Sequence, residues 1–178
     1  MRRFLYFLGL VYLLLLVLHV QRRRNAFQGR PPHVAAYVEA FRDVAYEVGS
    51  KTGVPPAIVL AVAGLESAWG RSELSQRGNH FGIKARGDDP RHCLSTREFI
   101  KRKAHRVQAC FRAYEHPEDS FRDFGRLLST APNYQPLFHH SPSNYRGWAQ
   151  GLSDCGYATD PEYPQKLIRL IDLYRLDL

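Results

Sequence analysis

Glu66 is the residue of this chain whose type and position point most directly to acid chemistry. The eight residues before it, 58–65, are apolar or glycine throughout, which predicts a buried helix with Glu66 in its last turn. Apolar surroundings disfavour the charged form of a carboxyl group, so we expect a raised pKa and a proton retained near neutral pH. A general acid of this kind is what protonation of a leaving sugar oxygen requires. The alternative is an ordinary helix-end glutamate that faces water or bonds a neighbouring amide.

The elements that must position Glu66 are mostly helical in pattern. Apolar residues at helical spacing over 34–48 predict an amphipathic helix that Gly49 and Gly53 close. Pro55 and Pro56 suit the first turn of the buried helix that carries Glu66. Further helices are expected at 117–128, 145–152 and 161–174, with a short one from Ser72 to Gly78 and a loop over 129–143 rich in Pro, Asn and His.

One predicted hairpin, over residues 94–109, interrupts the helical pattern. Cys93 and Cys110 flank it at equal spacing about its tip and would therefore lie opposite each other. Outside the cytoplasm they could form a disulfide; the alternative is two unpaired small residues at strand ends. Cys155 is expected to be a small packing residue. The chain has no CxxC, HExxH or acidic calcium loop, so we expect neither a metal site nor a cofactor.

The N-terminus reads as a membrane segment. Residues 4–20 are almost wholly apolar, lie between arginines, and at about 1.5 Å per residue reach roughly 26 Å, marginally enough to cross a bilayer core. No small-x-small cleavage site follows, which favours a retained signal anchor over a removed signal peptide. We therefore expect an anchor at 1–21, a basic linker at 22–32 and one globular domain at 33–178.

The positive charge is concentrated in the anchor and its flank. The first thirty residues hold six of the 25 basic residues and no acidic one, which leaves 19 basic against 17 acidic residues in the remainder. The globular part is thus close to neutral and carries no basic stripe interleaved with aromatics. We expect no nucleic-acid partner.

Four segments in chain order carry a resemblance to a known family. They are LESAWGRSEL at 65–74, GNHFGIK at 78–84, FRAY at 111–114 and GYATDP at 156–161. Together they resemble the peptidoglycan-hydrolysing glucosaminidase domains of flagellum-associated hydrolases and bacterial autolysins, over roughly residues 35–176. The resemblance implies a lysozyme-like, mainly α-helical fold with a small β-hairpin lobe. It also implies hydrolysis of the β-1,4 bond after N-acetylglucosamine in peptidoglycan glycan strands.

The resemblance also implies catalytic roles. Glu66 matches the catalytic acid, Glu98 the second carboxylate on the hairpin, and Tyr157 the tyrosine that faces the cleft. From the residues alone, Glu98 could equally be a solvated strand residue paired with Arg97 or Arg102, and Tyr157 a packing side chain. Whether the reaction inverts, retains or uses the substrate's acetamido group depends on the separation of the two carboxylates.

The predicted substrate contacts are four side chains near these motifs: Trp69, Asn79, Phe81 and Tyr114. The resulting interpretation is a membrane-anchored endo-acting glucosaminidase whose catalytic domain lies outside the cytoplasm, with peptidoglycan strands and the membrane as partners. One alternative is a non-catalytic glycan-binding or scaffold module. The others are a muramidase and a lytic transglycosylase, although the chain lacks the segment that usually follows Glu-Ser in transglycosylases.

Overall fold

The described part of the chain is mainly helical, with one small antiparallel sheet. The computed structural model describes residues 29–100 and 103–177, with backbone alone between 96 and 107. Its α-helices are α1 (Pro32–Thr52), α2 (Pro56–Glu66), α3 (Pro117–Thr130), α4 (Tyr145–Asp154) and α5 (Tyr163–Tyr174). Short 3-10 helices cover Ser75–Arg77 and Pro132–His139, and the strands are β1 (Arg91–Ile100) and β2 (Lys103–Arg112).

Helix α2 is the centre of the core. Each residue from Ala57 to Gly64 is buried, and the helix packs against α1, α3, α4 and α5. This explains why residues 57–64 are apolar or glycine on every side, since no face of this part of α2 meets water. The helix ends at Glu66, so the carboxylate is placed by the best-packed element of the domain.

Helix α1 is longer than its apolar pattern predicts. It continues through Gly49 and ends at Thr52, where Gly53 adopts the left-handed conformation with φ 80°. Gly49 is needed for a different reason than helix termination. A Cβ atom at position 49 would lie 2.9 Å from Cγ of Pro56, so the absence of a side chain allows the start of α2 to approach α1.

The hairpin is attached to the helical body at its base. The strands pair antiparallel with Cys93 opposite Cys110, and a disulfide joins these two residues. Next to it, the amide of Ala85 donates to the carbonyl of Cys110 and the amide of Arg112 donates to the carbonyl of Ile83. Phe111 is buried, so the open end of the hairpin is held by both hydrogen bonds and apolar contact.

Two expectations about regions outside the regular helices need correction or stay untested. The predicted loop over 129–143 contains the 3-10 helix Pro132–His139, which buries Tyr134 and Leu137, three residues apart on one face. The predicted anchor at 1–21, and the linker up to residue 28, lie outside the described residues. Within the described range, the structure shows no helix with the length and apolar character needed to cross a membrane.

Candidate active site

A cleft of about 1130 Å³ opens over the C-terminal end of α2. It is lined by that helix end, the segment 81–89, the base of β2, one face of α3 and the segment 157–166. The aromatic and aliphatic members of this lining include Leu65, Phe81, Ile83, Phe111, Leu127, Tyr134, Tyr157 and Tyr163. Charged side chains, including Glu66, Arg112 and Asp123, line the rest, so the cleft combines apolar and polar surface.

Glu66 presents its carboxylate to this cleft. Its side chain is solvent-accessible, whereas the sequence led us to expect an enclosed group. Even so, the surrounding protein excludes enough water to raise the pKa of Glu66, and a hydrogen bond from Tyr163 opposes that rise. The Tyr163 hydroxyl donates to Oε1 over 2.9 Å. One oxygen of this cleft-lining carboxylate is therefore held in place by Tyr163.

A left-handed turn begins two residues after Glu66. Ala68, Trp69 and Gly70 have φ angles of 50°, 58° and 77°, and the first two carry side chains that disfavour this region. The turn is fixed by Ser67, which is fully buried and whose Oγ accepts a hydrogen bond of 2.8 Å from the amide of Gly70. Such backbone strain beside Glu66 is stable only when the surroundings determine the geometry.

A buried hydrogen-bonded chain supplies that support. Ser67 Oγ donates to the Tyr37 hydroxyl over 3.3 Å, and the Tyr37 hydroxyl lies 2.7 Å from His80 Nδ1. Burial lowers the pKa of His80 to about 4, and the charge of Glu118 offsets only part of that change. The imidazole is therefore neutral near pH 7, with Nδ1 accepting from Tyr37. The sequence did not predict these hydrogen bonds, because Ser67, Tyr37 and His80 lie on three separate segments.

Two tyrosines flank Glu66. The Tyr157 hydroxyl donates to the carbonyl of Phe81 over 3.2 Å, and the Tyr157 and Tyr163 ring centroids are 5.9 Å apart. Burial and the nearby Glu66 charge raise the pKa of both phenols, so both are protonated donors. Tyr163 was missed as a site residue. Its signals in the sequence are its place in the family resemblance, just after the motif at 156–161, and its position at the start of a helix, next to Pro164.

Phe81 is the predicted substrate contact that lines the cleft. Its ring stacks on Phe124 at 4.3 Å and is almost fully buried, so it forms part of the floor. Trp69 lies instead among core aromatics, edge-on to Tyr37 and Tyr174, and is not among the cleft residues.

Asn79 and Tyr114 make structural contacts instead of lining the cleft. The buried Asn79 amide donates to the carbonyls of Ile83 and Arg112, which ties the segment before the hairpin to the end of β2. The Tyr114 hydroxyl donates to Asp123 Oδ2 over 2.6 Å. These contacts position the cleft wall.

Glu98 belongs to β1, and its side chain lies outside the described atoms. The strand register pairs position 98 with position 105, five residues beyond the disulfide. Positions 92 and 98 are six residues apart on one strand, so they share a face of the hairpin. The partner of position 92 is Phe111, which lines the cleft.

Comparison with known proteins gives a consistent picture. Peptidoglycan hydrolase FlgJ of Escherichia coli K12 is 32% identical over 155 residues, covering 83% of this chain and 49% of FlgJ. Exo-glucosaminidase LytG of Bacillus subtilis is 33% identical over 147 residues, covering 79% of this chain and 51% of LytG. The chain thus spans about half the length of these relatives.

The fold also matches a solved catalytic domain. The crystal structure of the autolysin Auto catalytic domain from Listeria monocytogenes superimposes with a TM-score of 0.71 and 26% identity, covering 91% of this chain and 96% of that domain. The family model for mannosyl-glycoprotein endo-beta-N-acetylglucosaminidase matches residues 42–176, which include the core helix α2, the hairpin and every cleft residue named above. The chain therefore belongs to the glucosaminidase family of glycoside hydrolases.

Proposed function

We propose that this protein hydrolyses peptidoglycan glycan strands at the β-1,4 bond after N-acetylglucosamine, with Glu66 as the general acid. The observation that carries the proposal is the Glu66 carboxylate, which opens into the cleft with a raised pKa and one oxygen held by Tyr163. The names of FlgJ and LytG, which describe a peptidoglycan hydrolase and a glucosaminidase, support the choice of substrate and bond.

The Tyr163 hydrogen bond supports one position for the acidic proton. Because Oε1 of Glu66 accepts the Tyr163 hydrogen bond, the acidic proton belongs on Oε2, which can donate to the glycosidic oxygen. As the bond breaks, positive charge develops on the sugar ring, and the newly formed Glu66 carboxylate lies beside it. Tyr163 stabilises that carboxylate by donating to it.

Two further residues complete the proposal. The Tyr157 hydroxyl donates its hydrogen bond to the Phe81 carbonyl. Its oxygen is therefore left to accept a hydrogen bond from water or from the substrate N-acetyl group. Glu98 is proposed as the second carboxylate, on the hairpin, acting on water or on the developing positive charge. Its support is the strand phase and the family resemblance.

Substitution of Glu66 tests the acid. Glu66→Gln keeps the shape but removes the titrating proton, so turnover should fall by about 10²-fold or more while the fold is retained. Glu115→Gln, at an exposed position outside the cleft, is the matched control and should behave as wild type. Clearing of a peptidoglycan suspension by Glu66→Gln at near the wild-type rate would reject the assignment.

Product analysis tests the bond. A reducing-end N-acetylglucosamine is expected, whereas a reducing-end N-acetylmuramic acid would identify a muramidase and an anhydro product a lytic transglycosylase. Binding of strands with none of these cleavage products would identify a non-catalytic module. The sizes of the products separate endo from exo action.

We further propose that the apolar segment 4–20 holds the protein at the cytoplasmic membrane with its domain on the outer side, where the substrate lies. The full chain should sediment with membranes, and protease added to spheroplasts should cut the domain. Recovery of a soluble form whose N-terminus lies between residues 21 and 30 would show a cleaved signal peptide instead.

A further inference from the structure

An alternating row of charged side chains runs along one wall of the cleft. Arg112 lies at its centre, with Nη2 3.2 Å from Asp89 Oδ1 and Nη1 donating to Asp123 Oδ2 over 2.7 Å. Asp123 also accepts from Tyr114 on Oδ2 and from Arg126 on Oδ1. The Asp123 side chain is only 12% exposed, so the centre of the row is fixed in the wall.

The row ends in cations on both sides. The backbone amide of Arg86 donates to Asp89 Oδ2 over 3.0 Å, which places Arg86 at one end, and Arg126 forms the other. All four oxygens of Asp89 and Asp123 are engaged. The guanidinium of Arg86 has no partner among the described residues, and Arg126 contacts Asp123 alone. The groups of the row that remain able to bind a ligand are therefore the N–H donors of these two arginines.

We infer that Arg86 and Arg126 form a subsite for carboxylate groups of the substrate. This inference rests on the proposed function and deepens it. Alternate sugars of a peptidoglycan strand carry a lactyl ether, whose carboxyl group is either free or linked to a peptide that bears its own carboxylates. A guanidinium presents paired N–H donors that match a carboxylate in charge and shape. A cleft for an uncharged glycan would gain nothing from two such groups.

A purely structural role does not account for the two terminal arginines. The contacts that join the 86–89 turn to α3 use Arg112 and the two aspartates, together with the backbone of Arg86. The Arg126 side chain is 66% exposed, where an ion pair contributes little to stability. Both arginines can thus be replaced without breaking the centre of the row.

The test compares one double variant on three forms of the same soluble, uncross-linked strands. Arg86→Gln with Arg126→Gln should raise KM about tenfold on intact strands, the effect of losing hydrogen bonds to a charged group, and leave kcat nearly unchanged. On strands whose carboxyl groups are all amidated by carbodiimide coupling, wild type and variant should share one KM. Arg77→Gln with Arg169→Gln removes the same charge from outside the cleft and should match wild type.

Strands stripped of peptides by an amidase distinguish the two sources of carboxylate. A KM difference that is seen on intact strands and persists on stripped ones shows that the subsite also accepts the free lactyl carboxylate, and one that disappears assigns it to the peptide alone. Equal KM values on intact strands, or a tenfold difference that survives full amidation, would overturn the inference.

Affinity separates this inference from the proposed reaction. Binding of the same strands is measured in a Glu66→Gln background, where turnover is not needed. A tenfold loss of affinity on adding the two arginine changes supports the subsite even if wild type releases no reducing ends, a result that would reject the hydrolase alone. Unchanged affinity in this background would reject the subsite.

Discussion

Glu66 and the hairpin that carries Glu98 are held in place by different kinds of contact. Glu66 ends a helix that is buried on all sides from Ala57 to Gly64, and the turn after it is fixed by Ser67, Tyr37 and His80. The hairpin extends from the body, with one disulfide and a few backbone hydrogen bonds at its base. Glu66 is thus positioned by the core, whereas Glu98 depends on a two-stranded ladder, which is marginally stable alone.

The largest effect should come from the buried support of the acid. His80 has a folded-state pKa of about 4 against an ordinary value of about 6.5, so the unfolded chain binds a proton first as the pH falls. Wild type should lose about 3 kcal/mol of unfolding free energy between pH 6.5 and 4 from this group. His80→Gln keeps an acceptor for Tyr37 and should flatten the profile in that window.

Urea unfolding from pH 7 to pH 4 measures this slope directly. The exposed His139→Gln variant serves as control and should keep the wild-type slope. An equally steep profile in His80→Gln would mean that another group causes the loss.

A smaller effect is expected from crowding the same region. A Cβ atom at Gly64 would lie 2.5 Å from Cζ3 of Trp69, whose ring is packed against core aromatics. Gly64→Ala should therefore cost about 1–3 kcal/mol and lower turnover, because Trp69 belongs to the turn after Glu66. Trp69→Phe removes the atoms in conflict, so the double variant should be less destabilised than the sum of the single variants. Additive losses in thermal or urea unfolding would contradict this explanation.

Removal of the hairpin disulfide should lower the activity more than it lowers the stability of the fold. The disulfide closes a loop between residues 17 positions apart, a constraint worth roughly 3 kcal/mol in the chain-entropy model. Cys93→Ser with Cys110→Ser should reduce turnover several-fold with a smaller effect on melting of the helical core. Adding Glu98→Gln in that background should cost little more.

The free Cys155 offers the control for the cysteine experiment. Cys155→Ser should leave activity unchanged, and the denatured, unreduced wild-type protein should show one free thiol. Three free thiols in material purified from the periplasm would remove the basis for coupling the disulfide to Glu98.

The smallest effect concerns the hydrogen bond to Glu66. The Tyr163 hydroxyl lowers the pKa of Glu66 against the stronger effect of burial. Tyr163→Phe should therefore raise that pKa further, so the alkaline fall in kcat, where the acid loses its proton, should move to higher pH. An alkaline fall in kcat that stays at the same pH, or moves to lower pH, would show that Glu66 is not the titrating acid.

The sequence determined the helical elements and the place of Glu66. Apolar periodicity predicted α1 to α5 to within a few residues, because each helix buries a continuous stripe or, for α2, its whole surface. The 3-10 helix Pro132–His139 was not predicted, because it contains Pro136 and buries only two residues in a polar segment. The equal spacing of the cysteines about the hairpin tip likewise indicated which strand positions lie opposite.

Tertiary structure alone decided what surrounds the acid. Tyr163 lies 97 positions from Glu66 and reaches it only because α5 packs on α2. The Ser67, Tyr37 and His80 chain and the charged row of Asp89, Arg112 and Asp123 likewise join distant segments. Local pattern records which face of an element is apolar, but the identity of the polar partner depends on how the elements pack. Packing also decided that Trp69, a predicted sugar contact, lies against Tyr174, and that Asn79, another, donates to the carbonyl of Ile83.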